Sequence, residues 1–454
     1  MSYCLKTVFI IPVVAYMVYR QLNSGPFLSM TCSLTGFQCP KSIPVNGFAD
    51  EQFKDTYDVF LDNIKKGYDI GAGLSVYVDG REVIHLQAGW QDPTKRIEYT
   101  DNTLQIVFSS SKAFSSIVVA QLVEKGLLSY DEKIATYWPE FAQGNKENVT
   151  LSDLMRHMAG VGALDRPLSL ADVKDPAVFS NILASQPHNF GGVPTHAYHA
   201  ITQGWYLNEI IRRVTDGKTI DDFAREYQTK YGCEWYFKPD ATEGVDVNRI
   251  STFYERPMIY QLVDLIKIVF SPHRDMTLLR NIFDKQSIFH KSMTNPNIDQ
   301  VKGIMNNNDP LRRAIEGPSY SGHTNAHSIA KLAAMMANKG KAIVPGEPDL
   351  MSEKTFDEAT TFISNESDLV FSGFPMCNLK GGLLAIDNSL FLGDMEEESH
   401  FEGGFGAGGS LFLYNTKHKI AIGYVTNSYL EHLPPDIRTT RIVRSVLKAV
   451  KGTQ

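Results

Sequence analysis

Apolar and polar positions alternate near both ends of the chain. Leu74–Val78 and Glu82–Leu86 have a period of two and flank Asp79-Gly80, a pair favoured in tight hairpin turns. Two later runs, Ser410–Tyr414 and Ile420–Val425, have the same character. We therefore predict two strand pairs, one from each end of the chain, within one antiparallel sheet.

Helical periodicity dominates the region between these strand pairs. Its apolar stripes predict helices over Ala49–Tyr68, 113–125, Leu151–His157, Thr202–Val214 and Ala326–Asn338, with a last helix over Ile437–Val450. Residues 238–320 are irregular, and residues 341–400 are predicted to be loops with short segments. The fold class is therefore α/β (α+β), with flanking helices and an inserted, mostly helical region.

Composition and charge are those of an ordinary globular protein. The chain has 454 residues, 43% of them hydrophobic, and a formal net charge of −7, so the basic surface that nucleic acids require is not expected. The five cysteines lack the spacing of a metal site, and no metal or other cofactor is predicted. Cys32 and Cys39 are consistent with a small-loop disulfide or with reduced thiols.

The first residues form a separate segment. Thr7–Tyr19 carries no charge and is flanked by Lys6 and Arg20, but thirteen residues are short for a membrane span. We predict a signal or signal-anchor over residues 1–22, a linker over 23–48 and one domain over 49–454. The protein would then be secreted or lumenal, or membrane-associated through residues 7–19.

The strongest candidate chemistry lies where an apolar run meets a helix. Ser109 is predicted to cap that helix, and Lys112 follows one turn later on the same face. Serine needs a nearby base to become a nucleophile, and a buried lysine can provide it. The same S-x-x-K spacing recurs at Ser328–Lys331 and Ser445–Lys448, where we expect solvated helix surfaces.

A glycine-rich run lies near the second strand pair. It satisfies G-x-G-x-x-G at Gly404, Gly406 and Gly409, but a strand follows it, whereas a dinucleotide site requires a helix. Without bulky side chains, such a strand edge allows a substrate to approach the backbone closely. Backbone N–H groups at such an edge suit an oxyanion hole.

Taken together, several motifs resemble one family. They are Phe108-Ser-Ser-Ser-Lys112, Gly126-Leu-Leu-Ser-Tyr-Asp131, Tyr137-Trp-Pro-Glu-Phe141, Leu154-Met-Arg-His-Met-Ala-Gly160, Tyr198-His-Ala-Ile-Thr-Gln-Gly204 and Gly406-Ala-Gly-Gly-Ser410. The chain resembles the serine β-lactamase-like superfamily, in the branch of class C β-lactamases, D-Ala-D-Ala carboxypeptidases and esterases. It is most similar to animal β-lactamase domain-containing proteins, including the nematode group.

The resemblance implies roles for individual residues. Ser109 would be the acylated nucleophile, Lys112 its base, and Tyr198 a proton shuttle whose phenol pKa a neighbouring ammonium would lower. The N–H groups of Ser109 and Ala407 would form the oxyanion hole, with Gly404 and Gly406 at the substrate edge. His157 is predicted to have a packing role.

The chain departs from the family pattern at two places. Ala200 stands where the second motif has asparagine, and the third motif aligns with 404–406 and lacks its lysine or histidine. An ester or peptide therefore fits better as a small-molecule substrate than an antibiotic or a carboxylate. We predict a serine hydrolase of esterase, amidase or peptidase type. The alternative is a catalytically silent structural or binding protein, self-assembling at a membrane. The oligomeric state is left open.

Overall fold

Strands from both ends of the chain meet in one sheet, as the alternation predicts. The computed structural model describes residues 12–20, 32, 42–255, 281, 284–294, 308–370, 374–386, 391–392, 400–430 and 435–452. The strands are β1 Val45–Ala49, β2 Gly71–Val78, β3 Arg81–Asp92, β4 Ile97–Glu98, β5 Gln105–Ile106, β6 Trp235–Tyr236, β7 His323–Thr324, β8 Phe362–Asp368, β9 Phe374–Leu379, β10 Leu384–Ile386, β11 Phe401–Phe405, β12 Leu411–Asn415 and β13 Ile420–Thr426.

The main sheet has the order β1-β3-β2-β13-β12-β11-β10-β9-β8, and β4 pairs with β3. β2 lies between its hairpin partner and the last strand, so Leu74 is opposite both Leu86 and Tyr424. The hairpin turn has positive φ at Asp79 and Gly80, 47° and 75°, as a tight primed turn requires. A second, small sheet has the order β5-β7-β6.

Helices pack against both faces of the main sheet, and most of them lie along the chain between its first and last strands. They are α1 Lys54–Lys65, α2 Ser111–Glu124, α3 Ile134–Tyr137, α4 Leu151–Met155, α5 Leu170–Lys174, α6 Pro176–Ser185, α7 Thr202–Val214, α8 Ile220–Tyr231, α9 Ile288–Thr294, α10 Pro310–Arg313, α11 Ala326–Ala337, α12 Glu353–Ala359 and α13 Ile437–Lys451.

Side-chain alternation along β13 divides the core between the two sheet faces. Ile420, Ile422 and Tyr424 pack with α1 and α13, whereas Ala421 and Val425 face α2 and α11. At Gly423 the helix α11 comes so close that an added Cβ would lie 2.3 Å from the Ala326 carbonyl oxygen. Glycine is therefore required there.

The predicted linker contains most of one strand of the main sheet. Val45–Ala49 forms the edge strand β1 and pairs with β3, because its backbone completes the hydrogen bonds that β3 leaves open. The rest of the predicted linker lies largely outside the described residues. Cys39 also lies outside the described residues. Cys32, for which both a disulfide with Cys39 and a reduced thiol were considered, is disulfide-bonded.

The predicted loop region 341–400 contains more regular structure than expected. α12 and the strands β8, β9 and β10 lie within it and extend the main sheet beyond β11. Of the predicted apolar segment 7–19, residues 12–20 are helical and residues 7–11 are not described. Among the described helices, none has the length and apolarity needed to cross a membrane.

Candidate active site

The backbone has an unusual conformation immediately before α2. Phe108 has a φ of 45°, a conformation that is costly for a bulky residue, and Phe108–Ser110 form a 3₁₀ turn. The prediction that Ser109 is the N-cap is wrong: Ser110 holds that position, because Ser109 already lies within the 3₁₀ turn. Ser109 itself is partly exposed, whereas both serines that follow it are buried.

Those two serines attach the start of α2 to its surroundings. The Ser110 hydroxyl lies 3.0 Å from the Ser410 hydroxyl. The Ser111 hydroxyl accepts a hydrogen bond from the Gly322 N–H at 3.0 Å. Ser410 in turn donates to the Val107 carbonyl at 2.7 Å. These contacts fix the backbone around Ser109 from two distant segments, so the position of its hydroxyl is determined by buried hydrogen bonds.

Lys112 projects from the first turn of α2 into the interior. Its Nζ donates to the carbonyl oxygens of Ala200 and Ser319, both at 3.0 Å, and lies 4.6 Å from the centre of the Tyr198 ring. Burial holds the pKa of Lys112 well below its usual value. A neutral amine has two N–H donors, so these two carbonyls use both and leave its lone pair available to accept a proton.

A second buried lysine shows what sets Lys112 apart. Ser328 and Lys331 share its spacing, and both are buried, so the prediction of a solvated surface is wrong for this pair. However, Lys331 Nζ is 2.7 Å from a Glu347 carboxylate oxygen. Lys331 therefore has a charged partner, whereas Lys112 Nζ donates to neutral carbonyl oxygens.

Tyr198 lies beside both residues of the motif. Its hydroxyl is hydrogen-bonded to Ser109, and its ring lies under Lys112 Nζ. The expectation of a lowered phenol pKa is wrong, because burial raises the pKa of Tyr198 and the bond with Ser109 opposes it only in part. Tyr198 is therefore a protonated phenol near neutral pH, able both to donate and to accept a hydrogen bond.

His157 connects the Tyr198 ring to two further buried histidines, His196 and His199. The His157 ring meets the Tyr198 ring edge-on at 4.5 Å between centroids, and its Nδ1 accepts from the His199 N–H at 3.2 Å. Burial keeps the pKa of His157 well below its usual value and lowers that of His199 to about 3. Both rings are thus neutral, and His157 packs as predicted, against a site residue.

The glycine-rich edge lies against Ser109. A Cβ on Gly406 would lie 2.1 Å from the Val107 carbonyl oxygen and 3.1 Å from the Ser109 nitrogen. The Gly406 N–H donates to the Ser410 carbonyl at 2.9 Å, so it is occupied within the turn. A Cβ on Gly404 would meet nothing within 4 Å, which leaves open space at the position predicted to align with the lysine or histidine of the third motif.

Ala407 is the next residue along this edge. It is partly buried and packs against a small cluster that contains Ile106, Phe108 and Phe253. Phe108 and Phe253 meet edge-on with their ring centres 4.9 Å apart. The turn that carries Ala407 is thereby packed against the residue preceding Ser109, and no sequence motif indicates this aromatic contact.

Similarity to known proteins agrees with this geometry. Residues 60–244 match the family profile described as Beta-lactamase, a region that contains Ser109, Lys112 and Tyr198 and ends before Gly404. The esterase/beta-lactamase LipL of Mycobacterium tuberculosis is 33% identical over 183 residues, which are 40% of this chain and 42% of LipL. The teichoic acid D-alanine hydrolase of Staphylococcus aureus is 25% identical over 236 residues, 49% of this chain and 56% of the relative.

A solved structure shows the fold over more of the chain. A family VIII carboxylesterase superposes with a TM-score of 0.74 and 24% identity, covering 89% of this chain and 100% of that one. The predicted fold class is confirmed: the chain has the α/β fold of the β-lactamase/transpeptidase-like superfamily of serine hydrolases. The chain spans about half the length of these two curated relatives. Both come from bacteria, and the resemblance to animal proteins stays a prediction.

Proposed function

We propose that the protein is a serine hydrolase that cleaves small-molecule esters through an acyl-enzyme on Ser109. The observation that carries the proposal is the hydrogen bond between Ser109 and Tyr198 beside a buried lysine whose pKa is lowered. A nucleophile, a phenol and a neutral amine in one cluster are the groups that acyl transfer requires.

In the proposed acylation, Ser109 Oγ attacks the ester carbonyl carbon while its proton passes to Lys112, directly or through the Tyr198 hydroxyl. The tetrahedral oxyanion accepts hydrogen bonds from the N–H groups of Ser109 and Ala407. Collapse of this intermediate breaks the bond to the alcohol oxygen, which receives the proton. Water then attacks the acyl carbon, and the same groups return a proton to Ser109.

An uncharged acyl ester is the substrate class that the open edge favours. In the family pattern that the sequence resembles, a lysine or histidine is expected at the position of Gly404, whereas here the position is open and offers no side-chain donor for a substrate carboxylate. LipL is named an esterase/beta-lactamase and the solved structure is named a carboxylesterase, and the esterase part of these names supports the same class. Peptides and amides are the second substrate class to screen.

Labelling with a fluorophosphonate probe tests the nucleophile. We expect the wild type to be labelled at Ser109 and to hydrolyse short-chain nitrophenyl esters, and Ser109→Ala to do neither. Ser445→Ala is the matched control, because Ser445 has the same spacing to a lysine but donates to the Ile442 carbonyl within α13. Labelling that persists in Ser109→Ala would contradict the proposal.

The silent alternative rests on the open position at Gly404, since a site without its third side chain suits a retained scaffold. It predicts no probe labelling of the wild type and no ester cleavage. The hydrogen bond between Tyr198 and Ser109 favours the hydrolase, because a scaffold has no need to orient this hydroxyl.

For location, we propose that residues 1–22 direct the chain into a lumen, as a cleaved signal or as an anchor, ahead of a domain that extends to residue 454. The short uncharged run is the support. Carbonate extraction of membranes from cells that express the full chain distinguishes the two forms. Release into the supernatant would contradict an anchor.

A further inference from the structure

A polar cluster lies on the main sheet where α11 crosses it, apart from the Ser109 site. Glu82 and His85 belong to β3, and His327 is the second residue of α11. One potential ligand atom from each residue lies within 4.8 Å of the other two. All three side chains are partly buried.

An irregularity in the sheet brings the first two residues together. Glu82 and His85 are three positions apart, so a regular strand would place them on opposite faces. The pairing shifts between Val76 and Tyr77: Tyr77 is opposite Glu82, and Val76 is opposite Ile84, so Val83 is the extra residue of a β-bulge. The bulge turns Glu82 to the face that carries His85, and bulges of this kind often re-aim functional side chains.

The ligand atoms converge on one point. Glu82 Oε1 lies 2.8 Å from His85 Nδ1 and 3.0 Å from His327 Nδ1. Ligands of a tetrahedral zinc-class ion at about 2.0–2.2 Å would lie roughly 3.3–3.5 Å apart. The two observed separations are about half an ångström shorter. Rotation of these partly exposed side chains can lengthen them.

The far nitrogen of His85 has the partner that a metal-bound histidine usually has. His85 Nε2 lies 3.1 Å from an Asp101 carboxylate oxygen. Such a carboxylate fixes the ring orientation and increases the basicity of the ligating nitrogen. Ser75 also donates to Glu82 Oε1 at 2.6 Å, which holds the carboxylate in place.

From these contacts we propose that Glu82, His85 and His327 bind a divalent cation of the zinc class, with water as the fourth ligand. Two imidazoles and one carboxylate are a common donor set for such ions. The ion joins β3 to α11, so its role is to fasten the helix to the sheet. The sequence gives no sign of it, because His327 lies 245 positions from Glu82 along the chain.

The rival explanation is a proton in place of the ion. With both ring nitrogens facing carboxylates, His85 also has the arrangement of an imidazolium between Glu82 and Asp101. A protonated histidine does not bind metal, so the two explanations differ in a direct measurement.

Titration of tag-free, chelator-treated protein with Co²⁺, followed by its visible absorption and by displacement with Zn²⁺, decides between them. We expect one ion per chain and an intense tetrahedral spectrum. Asp101 is exposed, and its replacement by asparagine leaves the three metal ligands unchanged. We expect Asp101→Asn to weaken Zn²⁺ binding by about 10–100-fold. His327→Gln should weaken binding further, whereas His418→Gln, on the β12–β13 turn, should not change it.

Absence of a cobalt spectrum in the folded wild type, or equal Zn²⁺ affinity in His327→Gln and wild type, would overturn the proposal. The expected rise in melting temperature with Zn²⁺ provides a readout that does not depend on the cobalt spectrum. Circular dichroism of each variant identifies any that fails to fold, and Asp101→Asn then carries the comparison.

Discussion

Replacing Tyr198 by phenylalanine removes one hydroxyl and little else. The ring would keep its edge-on contact with His157 and its place under Lys112 Nζ, 4.6 Å from the ring centre. The lost group is the hydroxyl that is hydrogen-bonded to Ser109. A single hydrogen bond contributes about 1 kcal/mol to stability, so Tyr198→Phe should fold and melt within a few degrees of the wild type.

The expected effect on catalysis is much larger. A positioned proton-transfer group contributes about 10²–10⁴-fold, which corresponds to roughly 2.7–5.4 kcal/mol of transition-state stabilisation. We therefore expect kcat/KM for a nitrophenyl ester to fall by at least about 100-fold in Tyr198→Phe. Nitrophenolate is a good leaving group, so an alkyl ester should lose still more, since its alkoxide depends on protonation.

Tyr206→Phe is the matched control. Its buried hydroxyl donates to the Leu183 carbonyl at 3.0 Å within the core. This variant should lose about 1–3 kcal/mol of stability, because a buried carbonyl is left without its partner, and it should keep its activity. If Tyr198→Phe stays within about threefold of wild-type kcat/KM while Ser109→Ala is inactive, Tyr198 transfers no proton and the proposed relay is refuted.

Three further results follow from the site and the core. Because the base must be neutral and the pKa of Lys112 is lowered, kcat/KM should be low in acid and rise with pH through that lowered pKa; Lys112→Arg should be inactive across the profile. Gly406→Ala places a Cβ 2.1 Å from a backbone oxygen and should lower stability by about 1–3 kcal/mol and abolish labelling, whereas Gly404→Ala should be neutral in both assays. Arg438→Met should cost about 3–5 kcal/mol in denaturant unfolding, because it leaves two buried aspartates unpaired; an unchanged midpoint would contradict this.

Periodicity predicted most of the regular elements that lie in the core. Helix α7 has the predicted bounds, Thr202–Val214, and the hairpin turn lies at the predicted Asp79-Gly80. β8 was not predictable in the same way. Its side chains are mostly exposed, and its sequence, FISNESD, is rich in residues with low strand propensity. Pairing with β9 determines its conformation, and that partner cannot be read from local sequence.

The candidate site likewise contains residues that the sequence predicted and contacts that it could not predict. Ser109, Lys112 and Tyr198 belong to recognisable motifs, and the structure brings them together. The carbonyls of Ala200 and Ser319, which hold Lys112, have no side-chain signature. The helix cap at Ser109 was predicted from residue type, but the 3₁₀ turn there depends on tertiary hydrogen bonds such as that between Ser110 and Ser410.

The position of β2 has a consequence for synthesis on the ribosome. One edge of β2 can pair with β3 as soon as β3 has been synthesised. The other edge pairs with β13, so Leu74 lacks its partner Tyr424 until the ribosome has made that strand. At about 5–20 residues per second, this edge stays open for on the order of 20–70 s. An apolar hairpin with an open edge is a template for wrong pairing, so the nascent chain needs shielding throughout that interval. The strand order therefore gives the nascent chain a need for chaperones.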